Sequence, residues 1–140
     1  LAALKATHDP RVRFLGPVYE PEHIEALFLG AKAYIHGHEV GGTNPSLVTA
    51  MGCGQLVLAH AVPFNREVLG GNGLLWTKAP GSLRATIEEV ELDADALRAQ
   101  AAVACRERIR DVYAWDKCAR DQDRFFRYLA GEVEDYDDSF

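Results

Sequence analysis

The sequence predicts an α/β fold, a Rossmann-like parallel sheet flanked by helices, and three observations carry that reading. Short apolar runs bounded by glycine or proline alternate with stretches of helical periodicity, the order that builds parallel sheets. One run, Leu56 to Ala59, is continuously apolar, as expected of a strand covered on both faces. A glycine-rich stretch joins the run Tyr34-Ile35-His36 to a clear helix start, the junction where such sheets present loops to ligands. With 140 residues there is room for one domain with a real core.

Taken in order, Leu1 to Thr7 reads as a helix end, broken by His8-Asp9-Pro10 because proline cannot continue it. Val12 to Leu15 reads as a short strand closed by the Gly16-Pro17 turn. Pro21 to Gly30 follows as a helix, with Ile24, Leu27 and Phe28 on its buried face. Ala33 to His36 is the next strand. After the glycine loop, Thr43 or Asn44 is a suitable N-cap and Pro45 fits the first helical position, where its missing N–H costs nothing. Gly52 or Gly54 supplies the left-handed stop. Leu56 to Ala59 is a strand, Pro63 to Gly70 a loop with a short helical turn, and Gly73 to Trp76 a further strand.

Ser82 is a candidate cap for a helix to Val90, striped by Leu83, Thr86, Ile87 and Val90. Asp93 or Asp95 caps a longer helix to about Val112. A last helix runs from about Trp115 to Leu129, with Trp115, Cys118, Phe125, Phe126 and Leu129 as its apolar set; the Phe125-Phe126 pair is assigned to core or interdomain packing. Residues 1–130 form the domain, and 131–140 make an acidic tail expected to fray. The opening on Leu1, already in helical sequence, suggests a piece of a longer protein.

Composition narrows the function. A formal net charge of −6 argues against a general nucleic-acid binder. No apolar run approaches the roughly 18–20 residues of a membrane span. Cys53, Cys105 and Cys118 are widely spaced and odd in number, so they read as reduced, mostly buried thiols of a cytoplasmic protein. His36 and His38 alternate along one face of an extended segment, but no further ligands are signalled, so no metal site is expected.

The glycine loop carries the functional signal. Gly37, Gly41 and Gly42 allow tight turning and close approach to a ligand. The helix after them directs free N–H groups and a positive dipole end at one spot, which suits a phosphate. An ordinary βα turn would use the same glycines for geometry alone, and no dinucleotide or P-loop fingerprint is present. His36, His38, Glu39, Thr43, Asn44 and His60 all fall at strand carboxyl ends and are expected to line one crevice. Asn65, Arg66 and Glu67 are further candidates for ligand contact.

The runs Arg11 to Val18 (RVRFLGPV) and Tyr34 to Leu47 (YIHGHEVGGTNPSL), together with PFNREVLG from Pro63 and Tyr113-Ala114-Trp115, resemble the C-terminal domain of retaining glycosyltransferases of the two-domain GT-B fold. Within that class HGHEVGGTNPSL resembles bacterial rhamnosyltransferase-like enzymes of polysaccharide synthesis. The resemblance implies a nucleotide-diphosphate-sugar donor, UDP- or dTDP-linked, as substrate with no other cofactor. It implies retaining transfer of a hexose or deoxyhexose to a glycan or lipid-linked acceptor. Gly41, Gly42, Thr43, Asn44, Ser46, Thr49 and Glu67 would then bind the donor, and Glu39 and His38 would serve catalysis. An N-terminal GT-B domain outside these residues would complete the enzyme, in the cytoplasm or peripherally at the inner membrane.

One departure stands out. The family carries two glutamates eight positions apart, and alignment on Ala50-Met51 puts Gly41 and Thr49 in their places. A non-catalytic interaction module of GT-B descent, or a sugar-nucleotide epimerase of the same architecture, are the competing readings.

Overall fold

A computed structural model describes residues 9–133. The helix end read over Leu1–Thr7 and residues 134–140 of the acidic tail lie outside the described residues. Element order is α1 (Pro21–Gly30), β1 (Tyr34–His36), α2 (Pro45–Gly52), β2 (Val57–His60), α3 (Pro63–Leu69), β3 (Leu74–Trp76), α4 (Ser82–Leu92), α5 (Ala94–Arg108), a π-helical turn (Ile109–Tyr113) and α6 (Trp115–Leu129). The three strands form one parallel sheet in the order β1-β2-β3. The chain is therefore α/β with a parallel sheet flanked by helices, the class its alternating pattern predicts.

β2 lies in the middle and every one of its residues is buried, which explains its unbroken apolar run. Around it pack Leu47, Ala50 and Met51 of α2, Val68 and Leu69 of α3, Val90 of α4, and Ala101 and Cys105 of α5. Fully burying a leucine-sized side chain contributes about 1.5–3 kcal/mol, so this cluster fixes how the crossover helices sit on the sheet. Cys105 is sealed within it, and burial pushes its thiol up to about 11. Cys53 and Cys118 are only partly buried.

The segment Val12–Leu15 forms no strand among the described residues: the Val12 N–H turns back to Asp9 O at 3.0 Å, and Val12 and Leu15 are exposed. An apolar run becomes a strand only where a neighbour offers a ladder, and the described sheet ends at β1. Pro63–Leu69, read as mostly loop, is a helix with proline in its first turn and Gly70 in the left-handed conformation at its end. The last helix has the bounds expected of it, but its stripe is not core. No α6 residue is buried, and Trp115 is 88% exposed. In α1, Ile24 and Phe28 are partly covered whereas Leu27 is exposed.

Candidate functional site

The candidate site is built on α2 and the loop before it. Asn44 is the N-cap: its Oδ1 accepts from the Ser46 amide at 3.0 Å and from the Ser46 hydroxyl at 2.7 Å. Pro45 follows in the first turn, and the Asn44 carbonyl accepts from the Leu47 and Val48 amides. The helix closes in a Schellman motif. Gln55 N–H donates to Ala50 O and Gly54 N–H to Met51 O, with Gly54 at φ +73°. Among the described residues, the N–H groups of Gly41, Gly42, Thr43 and Asn44 donate to no protein acceptor. Four undonated amides at a helix start, with the dipole's positive end behind them, are a favourable setting for an anion.

The loop is held in place from below. Asn65 of α3, only 3% exposed, donates through Nδ2 to His38 O at 3.0 Å and to His60 O at 2.9 Å, tying the ends of β1 and β2 together. The Trp76 indole lies 3.8 Å from where a Cβ on Gly37 would stand and donates to Leu58 O at 3.1 Å. Glu39 pairs with Lys78 beyond β3, and that lysine holds its carboxyl below the usual range. As the loop now stands, Glu39 is engaged across the crevice mouth with a cation.

The histidines do not all share the crevice. Register pairs His36 with Ala59 and His60 with Trp76. Adjacent partners project to the same face and neighbours along a strand to opposite faces, so His36 and His60 point to opposite faces of the sheet. His60 stacks on Trp76, with ring centres 4.9 Å apart. His36 lies with Tyr34, whose hydroxyl is 3.1 Å from Nδ1, and 6.1 Å from the ring of the exposed His38. Burial, then His38, lowers the pKa of His36 and keeps it neutral. Among the described residues no group of three or more His, Cys, Asp or Glu is placed to hold a metal ion.

The remaining candidates sit on α2 and α3, outside the loop itself. Thr49 lies in the second turn of α2 and donates its hydroxyl to Pro45 O at 2.9 Å. Glu67 accepts from the Tyr113 hydroxyl at 3.3 Å, on the side of the π-helical turn. Arg66 is exposed. Structural roles for Asn65, Trp76 and Lys78 emerge only from the fold. Their sequence signal is no more than polar or amphipathic residues placed just after a strand or at its end.

The arrangement defines a class first: a parallel α/β sheet whose carboxyl edge presents a glycine loop and a helix start with undonated amides. No protein-family profile matches the sequence, and no curated protein matches it. Among solved structures it is similar to a sucrose-phosphate synthase from Thermosynechococcus elongatus, with a TM-score of 0.75 and 21% sequence identity over 94% of this chain. That enzyme has the GT-B fold, so the chain has a GT-B glycosyltransferase-like fold. The chain spans 33% of the length of that protein.

Proposed function

We propose that the chain is the donor-binding part of a retaining glycosyltransferase, and that the amides of Gly41 to Asn44 receive the diphosphate of a UDP- or dTDP-sugar. The observation that carries this reading is the set of four undonated N–H groups at the start of α2. A departing nucleoside diphosphate gains negative charge as the glycosidic bond breaks, and preorganised amides stabilise that charge without reorganisation. Ser46 and Thr49 would meet the nucleotide from the same helix, and Glu67 from α3. Glu39 would leave Lys78 to meet the donor sugar, with His38 beside it. A hexose or deoxyhexose would pass to a glycan or lipid-linked acceptor, as in rhamnosyltransferase-like enzymes. An N-terminal domain would supply most of the acceptor site, and the enzyme would work in the cytoplasm or peripherally at the inner membrane.

A second reading, a non-catalytic module of the same descent, is favoured by the lack of a carboxylate at Gly41 and Thr49. Isothermal titration of the chain with UDP, dTDP and GDP separates the two. The first reading expects saturable heat with UDP or dTDP; a folded protein silent towards all three nucleotides ends it.

A further inference from the structure

One buried polar atom at the end of β1 has no partner among the described residues. Nε2 of His36 is the only buried side-chain nitrogen or oxygen among the described residues that makes no hydrogen bond, in a residue 3% exposed. Buried polar atoms are nearly always satisfied, so an exception held in a rigid setting calls for an explanation. Here the setting is rigid. Nδ1 is engaged with the Tyr34 hydroxyl at 3.1 Å. A phenol is a better donor than acceptor towards a neutral imidazole, so the Tyr34 O–H is assigned to Nδ1 and the ring proton to Nε2.

Tyr34 lies beside Ser46, whose hydroxyl proton goes to Asn44 Oδ1 at 2.7 Å. Tyr34 therefore places the imidazole next to the first turn of α2, without a continuous hydrogen-bond chain. Because Nδ1 turns to Tyr34, Nε2 faces the other side of the ring. The neighbours beyond Tyr34 are His38, at 6.1 Å between ring centres, and through it Gly41, whose added Cβ would stand 3.9 Å from His38 Nε2.

We propose that His36 is a ligand-orienting donor, its Nε2–H meeting a phosphate oxygen of the nucleoside diphosphate whose other oxygens take the amides of Gly41 to Asn44. The inference rests on the proposed function and adds to it a buried side chain that fixes the anion's orientation. A neutral donor locked by Tyr34 loses little side-chain freedom on binding. Through Tyr34, which lies beside Ser46, it stands next to the first turn of α2. His38, which is exposed, is the side chain that must change rotamer to admit the oxygen.

Nitrogen-15 spectra of the whole chain, labelled in histidine and backbone, test this with UDP and dTDP as probes. The expected result is a shift of His36 Nε2–H, with its proton retained, in step with the amides of Gly41 to Asn44. Amide shifts that leave His36 unmoved overturn the inference while the diphosphate cradle stands. No shift at either place with either nucleotide overturns both. His36→Leu, which keeps bulk but removes the donor, is expected to weaken nucleotide binding about tenfold or more, as for a lost hydrogen bond to a charged group. His36→Gln, which keeps an N–H, should stay within about threefold of the parent. Equal affinity in the leucine variant also overturns the inference.

Discussion

Gly41 adopts φ +105°, a region that side-chain-bearing residues enter only with strain. The first of the two glutamates expected from the resemblance would fall at this position and would meet that strain. Gly41→Glu is expected to cost about 1–3 kcal/mol for the strained backbone, read as a lowered urea midpoint. Thr49 is different. It stands exposed on α2, where its hydroxyl bonds back to Pro45 O, and Glu is a better helix former there. Thr49→Glu should leave stability within about 0.5 kcal/mol and tighten UDP binding. Should Gly41→Glu prove as stable as the parent, the loop is not held in the described conformation. Residue types with fixed local meaning were legible at this scale. Asn44 caps, Pro45 opens and Gly54 closes α2, because capping depends only on neighbours in sequence. The roles of His36 and Asn65 were not legible, because their partners come from other elements.

Elements were read well where periodicity was long and poorly where it was short. The bounds of α6 agree with its pattern, and α2 starts and stops where its caps require. Seven residues of α3 were too few to distinguish a helix from a loop, and Val12–Leu15 had the composition of a strand but no described strand beside it. Misreading α3 matters, because it holds the residue that joins the sheet to the loop. Asn65 spans from α3 to the carbonyls of His38 and His60 at once. Asn65→Ala removes both bonds and takes the side-chain donor from His38 O, while His60 O keeps the Val62 N–H, at an expected cost of about 1–3 kcal/mol by equilibrium denaturation. It should also weaken nucleotide binding by releasing the loop. A variant that unfolds at the parent's midpoint would show that the strand ends are held by something else.

At the scale of the whole molecule, the carboxyl edge of the sheet gathers the glycine loop, the Glu39–Lys78 pair and the start of α2. That edge follows from alternation of strands and helices alone. Which histidine enters the crevice does not, because strand register decides it, and register sends His36 and His60 to opposite faces. The apolar surface is likewise a property of the assembled chain. Ile35, central in β1, is 47% exposed, while Phe126 and Leu129 of α6 stand open. Among the described residues no helix is long and apolar enough to cross a membrane.

The opposite end of the molecule has its own fastening. Arg106 donates to Cys53 O at 2.9 Å, just past α2, and Arg108 donates to Val68 O at 2.8 Å and Glu67 O at 2.5 Å, in the last turn of α3. A single turn of α5 thus latches two crossover helices by their final carbonyls. Breathing of that turn is shared and not local: α2 and α3 lose their stops together and should behave as one foldon. In Arg108→Ala, amide exchange is expected to quicken in both helices in parallel. Acceleration confined to α3 would mean that the latch is two separate fastenings.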